Sequence, residues 1–155
     1  MLLTAQVNEE NQVGRKAPNF LLENINGDFV ELNDFAGKGP ILLSFWSTCC
    51  KPCVEAVEAF SKLYEQYSDK GLSLLAISID DERTVGRVKP YIKTKGYEFP
   101  VLLDTNSDVS RIYYAWLVPY TVLIDKNGTI IYSHLGYMRG DEIQVITVIE
   151  QLLKN

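Results

Sequence analysis

Pro40 to Ser47 reads PILLSFWS, an eight-residue run whose only polar side chains are serines, bounded by Gly37 and Gly39 on one side and by a cysteine cluster on the other. A run this short and continuous leaves no polar face for water, so it reads as a central strand buried on both faces of a sheet. Covering both faces requires helices, which points to an α/β architecture.

The rest of the chain supplies them. Phe20-Leu21-Leu22 and Phe29-Val30-Glu31-Leu32 flank Asn26-Gly27-Asp28 and predict an N-terminal β-hairpin extension. From Val54 to Tyr67, Val57, Phe60, Leu63, Tyr64 and Tyr67 recur every three or four residues, the spacing of a helix with one buried stripe. Leu72 to Ile79 predicts a second buried strand, and Thr84 to Lys95 a helix that Pro90 kinks or divides. Val101–Leu103 then reads as a strand, Ser107–Tyr114 as a short helix, and Tyr120–Asp125 and Ile130–His134 as a hairpin across Asp125-Lys126-Asn127-Gly128. Asp141 to Leu153 predicts a closing helix with Ile143, Ile146, Ile149 and Leu153 on its buried side.

No composition break interrupts this alternation, so residues 13–155 are expected to form a single domain, with 1–12 as a leader. Met1–Ala5 is too short for a secretory signal; it reads either as the remnant of one or as a disordered leader. With 46% hydrophobic residues among 155, the chain can bury a core without disulfide or metal staples. Its net charge of -5 and scattered basic residues argue against nucleic-acid binding and a polybasic membrane patch, and no apolar run is long enough to insert in a membrane.

Three cysteines within five residues, Cys49, Cys50 and Cys53, look like a site rather than a framework. Cys50-Lys51-Pro52-Cys53 lies between a predicted strand and a predicted helix. At a helix start, free amides and the macrodipole favour a negative sulfur, which makes Cys50 the expected nucleophile. Cys53, one turn on, can attack the resulting mixed disulfide and release the client. Pro52 is tolerated in a first turn, and Lys51 sets a positive charge beside the thiolate. Structural zinc needs four ligands, whereas the chain has no second C-x-x-C and one histidine, His134, far along it; no metal and no cofactor are expected.

The segments FWSTCCKPC, VPYTVLID and VGRKAPNFLL resemble the thioredoxin superfamily, specifically its TlpA/ResA-like thiol-disulfide oxidoreductases and related redoxin (AhpC/TSA-like) domains. The likeness runs from about Val13 to the C-terminus and includes the ordered stretches ISIDD, FPVLLD and LIDKNG. It implies a thioredoxin fold with a central mixed sheet flanked by helices. It also implies that Pro119 is a cis-proline facing the cysteines, that the Val118 backbone pairs with an extended substrate, and that Trp46 packs beside the site. Protein disulfide or dithiol clients, an upstream thiol-redox partner, a monomeric state and an extracytoplasmic location are further implications.

Departures from the family pattern are equally specific. Cys49 replaces a bulky residue before the first active-site cysteine and is expected to be a buried, inert thiol, with an extra redox thiol as the alternative. Ser44 stands where classical thioredoxins have a buried aspartate, and Ala56 leaves no carboxylate at the third position after Cys53. Glu55 and Glu58 are the nearby candidates for taking its proton, with water as the alternative if both are simply solvated helix residues. Leu117 replaces a glycine two residues before Pro119. Two competing functions are a peroxide-reducing redoxin, disfavoured because Thr48 precedes Cys50 by two residues rather than three, and a non-catalytic binding or chaperone module using the groove beside Pro119.

Overall fold

The computed structural model describes residues 12–154, so the proposed leader lies outside the described residues except for Gln12. Elements in chain order are β1 (Leu21–Asn24), β2 (Phe29–Glu31), β3 (Ile41–Trp46), α1 (Lys51–Tyr67), β4 (Ser73–Ser78), α2 (Val88–Lys95), β5 (Val101–Leu103), α3 (Asp108–Ile112), β6 (Tyr120–Ile124), β7 (Ile130–Leu135) and α4 (Asp141–Leu153). The strands form a seven-stranded mixed sheet in the order β2-β1-β5-β4-β3-β6-β7.

β3 is buried along its whole length because both neighbours and both faces are occupied. It runs parallel to β4, with Ile41 opposite Ser73, and antiparallel to β6, with Ile41 opposite Ile124. Successive side chains of a strand point to opposite faces, so its residues divide between two apolar clusters. Leu42 and Trp46 pack with Val57, Phe60 and Leu63 of α1, Val88 and Ile92 of α2, and Val145 and Ile149 of α4. Ile41, Leu43 and Phe45 pack on the other face with Ala17, Phe20 and Leu32, and with Val109 and Tyr113 at α3. Each such fully buried large side chain contributes about 1.5–3 kcal/mol relative to exposure.

The expected hairpin is present, and it joins the main sheet rather than standing apart. β1 pairs antiparallel with β2 on one edge and with β5 on the other. Its turn is held by the Asn24 side chain, which accepts from the Asn26 and Asp28 amides at 2.8 and 3.0 Å, and by Gly27 at φ 86.

Two expectations shift. The division near Pro90 falls earlier, as a 3-10 turn at Val85–Arg87 followed by α2 from Val88. Pro90 thus sits in the first turn of α2, where its missing amide costs no helical hydrogen bond. On α4 the fully buried pair is Val145 and Ile149, whereas Ile143 is 65% exposed. An i, i+4 pair turned toward α1 sets that face, and Ile143 falls outside it.

Gln12, grouped with the leader on sequence grounds, is buried. Its side-chain amide donates to the Tyr113 carbonyl at 2.6 Å and to the Tyr120 hydroxyl. Arg15 donates to the Ile112 carbonyl at 3.0 Å and lies over the Tyr114 ring, 5.1 Å from its centroid. These contacts fasten the end of α3, where Tyr114 adopts a left-handed φ of 56 and turns the chain toward Pro119.

Candidate active site

α1 begins at Lys51, three residues earlier than the apolar periodicity predicts, and Cys50 is its N-cap with extended backbone. The Cys50 sulfur fills the place usually taken by a serine or aspartate oxygen, accepting from the Cys53 amide at 3.2 Å. This amide and the helix dipole favour negative charge on Cys50 once the sulfur is reduced. Pro52 occupies the second helical position, where no intrahelical amide bond is lost, and Lys51 and Pro52 are both exposed.

Cys50 and Cys53 are joined as a disulfide, with Cα atoms 5.2 Å apart. Burial separates their roles: Cys50 is half-buried at the surface, while Cys53 is wholly enclosed among Trp46, Ala56, Val57 and other residues of the core cluster. A client can reach the first sulfur only. The second is positioned to act from within.

The opposite wall comes from the segment before β6. The Val118–Pro119 peptide bond is cis, Pro119 is buried, and the Val118 carbonyl oxygen lies 3.8 Å from the Cys50 sulfur, where a reduced thiol could donate to it. Trp46 has no exposed surface, so its place is beneath the site, packed on Tyr91 with ring centroids 5.5 Å apart. Burial first, then the neighbouring Tyr97 and Glu58, pushes the Tyr91 hydroxyl up to about 12, so this aromatic support stays uncharged.

Asp80 was not singled out from the sequence, yet it anchors the loop ahead of the cysteines. This buried carboxylate accepts from the Thr48 amide at 3.0 Å, the Thr48 hydroxyl at 2.6 Å, the Ser78 hydroxyl at 2.6 Å and the Thr84 hydroxyl at 2.8 Å. Burial alone would raise its pKa, but the bonds from Ser78, Thr48 and Thr84 outweigh it and hold the group below its ordinary value. The one available signal was a carboxylate in ISIDD, immediately after an apolar strand.

Cys49 is exposed and free, which corrects the expectation of a buried thiol. The cause is its place in the turn between β3 and α1, outside the packing of either. The Arg87 guanidinium approaches its sulfur at 3.4 Å. Ser44 is buried, with a hydroxyl that has no hydrogen-bond partner among the described residues. Glu55 and Glu58 are exposed and line a groove of about 320 Å³ with Lys62, Tyr137, Arg139 and Glu142. His134 lies on β7 with its ring nitrogen 3.4 Å from Asp141, and the described residues contain no cluster of three or more metal-ligating side chains.

Residues 13–133 match the AhpC/TSA family. The thiol-disulfide oxidoreductase ResA of Bacillus thuringiensis subsp. konkukian is 34% identical over 136 residues, covering 88% of this chain and 77% of that protein. ResA of Bacillus subtilis is 34% identical over 125 residues, covering 81% and 68%. Among solved structures, one titled as a DsbE thiol:disulfide interchange protein from Chlorobium tepidum superposes with a TM-score of 0.83 at 28% identity, covering 91% of this chain and 97% of that one. A thioredoxin-like protein from Porphyromonas gingivalis gives 0.75 at 37% identity, with 93% and 95% covered. A dithiol/disulfide pair at a helix start, a thioredoxin-type sheet around it and these relatives agree: the chain belongs to the AhpC/TSA family and is a ResA-like thiol-disulfide oxidoreductase.

Proposed function

We propose that the chain reduces or exchanges disulfides of protein clients, with Cys50 as attacking sulfur and Cys53 as resolving sulfur. In the reduced protein, the Cys50 thiolate attacks a client disulfide, forming one Cys50–client bond and expelling the client's other sulfur as a thiolate. Cys53, deprotonated, then attacks Cys50, closes the Cys50–Cys53 bond and releases the client's second thiolate. The client gains two electrons and the protein loses two, which an upstream dithiol restores. The carrying observation is that Cys50 caps α1, is bonded to the enclosed Cys53 and faces the Val118 carbonyl.

In this reading Val118 offers its backbone to an extended client segment beside Pro119, Lys51 adds positive charge next to Cys50, Pro52 starts the helix, and Trp46 supports the site from below. Residues 13–155 act as one thioredoxin-like domain. The family resemblance supports an extracytoplasmic setting. Among the described residues no helix is long and apolar enough to cross a membrane.

The peroxide-reducing alternative is weakened by one contact: the Thr48 hydroxyl donates to Asp80 at 2.6 Å rather than toward Cys50. Replacing Cys50 by serine (Cys50→Ser) is expected to abolish reduction of insulin disulfides, and full retained activity would reject the assignment. Hydrogen peroxide consumed faster than insulin is reduced would favour the alternative.

A further inference from the structure

Before Cys53 can attack Cys50 it must lose a proton, yet it is wholly enclosed in an apolar cluster. Glu55 and Glu58 are exposed and do not reach inside that enclosure. The floor beneath it is different. Side chains two apart on a strand share a face, so Ser44 lies between Leu42 and Trp46 on the face of β3 that packs with Cys53. Ser44 is 1% exposed, and its hydroxyl has no hydrogen-bond partner among the described residues. A buried hydroxyl without a partner is unfavourable, so stability alone does not account for a serine here.

Strand register sets two more polar side chains in line with it. Ser44 stands directly opposite Thr121 of β6, and Thr121 directly opposite His134 of β7, both in antiparallel pairs. Thr121 and His134 share their faces with Leu123 and Tyr132, which belong to the same cluster as Cys53. Thr121 is buried, whereas the His134 side chain is 39% exposed and has its ring nitrogen 3.4 Å from Asp141 at the start of α4. Burial first, then Asp141, raises the pKa of the neighbouring Tyr132 hydroxyl, so that group stays neutral. A polar row thus crosses an apolar floor, from beneath the enclosed thiol to solvent. Directly opposed residues of antiparallel strands have Cβ atoms about 4.5–5.5 Å apart, close enough for hydroxyls to bond across strands. An imidazole both takes up and releases a proton near neutral pH.

Resting on the proposed function, we propose that Ser44, Thr121 and His134 form the proton exit for Cys53. The Cys53 thiol gives its proton to the Ser44 oxygen as Ser44 passes its own to Thr121. Thr121 in turn passes its own to the imidazole, and the imidazolium, beside Asp141, yields a proton to water. The electron pair left on the Cys53 sulfur forms the bond to Cys50 while the Cys50–client bond breaks and its pair leaves on the client thiolate, which takes a proton from solvent. Protons and electrons balance without a further reactant.

The test uses the full chain carrying Cys49→Ser, so that only the pair reacts, reduced and mixed with excess dithiobis-nitrobenzoate. Attack by Cys50 releases one coloured thiolate at a rate proportional to the reagent; ring closure by Cys53 releases the second at a rate independent of it. Ser44→Ala and the near-isosteric Thr121→Val are each expected to slow the second release about a hundredfold and leave the first unchanged. Ser44→Ala should also keep or raise stability in urea, because it removes an unpaired polar group. His134→Ala should slow the second release likewise, and added imidazole should restore it. An unchanged second release in Ser44→Ala, equal slowing of both releases, or a loss in His134→Ala that imidazole leaves in place would each overturn the exit. Absence of any second release before Ser44, Thr121 or His134 is changed would instead overturn the functional reading beneath it.

Discussion

Two segments meet at Cys50 and are held in opposite ways. The stretch Ser47–Cys49, ahead of the cysteine pair, is fastened by a single buried carboxylate through polar bonds. The stretch Ala115–Pro119 is held by packing and backbone: Ala115 is buried and its amide donates to the Ser110 carbonyl at 2.8 Å, Pro119 is buried, and Gln12 and Arg15 secure the end of α3 before it. The first arrangement concentrates its stability in one ionised group, so it should be brittle and pH-sensitive. The second distributes it, so no single side chain should release it. Under the proposed function, reactive chemistry sits on the brittle side and client recognition on the distributed side.

The comparison breaks most sharply at Asp80. Changing Asp80→Ala leaves the Thr48 amide and the Ser47, Thr48, Ser78 and Thr84 hydroxyls without their acceptor, and should lower stability by about 3 kcal/mol in urea denaturation while slowing disulfide exchange. A loss near zero would mean that the carboxylate is a bystander.

A pH series sharpens the same point. Because the folded-state pKa of Asp80 is depressed, its contribution is complete above the unfolded-chain value of about 3.9 and is lost as pH falls toward and through the lower folded value. Denaturation from about pH 6 down to about pH 3 should show an acid decline that is shallower in Asp80→Asn, which has no charge to lose. Parallel curves for the two proteins would assign the decline to other carboxylates.

The smallest expected effect is on the opposite segment. Gln12→Ala removes three side-chain bonds near the end of α3, two donated to Tyr113 and Tyr120 and one accepted from Arg15, and should cost about 1–2 kcal/mol, with exchange at Cys50 continuing. A larger loss, or one that stops exchange, would show that the second segment is as brittle as the first.

Much of the fold was legible because burial leaves a period in the chain. β3, β4 and the hairpins announced themselves as apolar runs or as turns with asparagine and glycine, and α4 matched Asp141–Leu153. Its buried face was misread, since Ile143 and Val145 are equally apolar and only the docking against α1 distinguishes them. At the site, the pairing of Cys50 with Cys53 and the place of Pro52 in the first turn of α1 were readable because they depend on neighbours one helical turn apart. Cys49 was not: cysteine is usually buried, and nothing local says that this one faces solvent beside Arg87, 38 residues away.

By itself, the amino-acid sequence determined where strands and helices form and that a dithiol pair stands at a helix start, since periodicity, capping and a two-residue spacing are local properties. Tertiary structure decided which distant groups meet that pair. Asp80 reaches Thr48 across 32 residues and Val118 reaches Cys50 across 68, because β4 and β6 both lie beside β3 in the sheet. Strand order is a collective outcome of covering two faces at once, and no residue carries it alone.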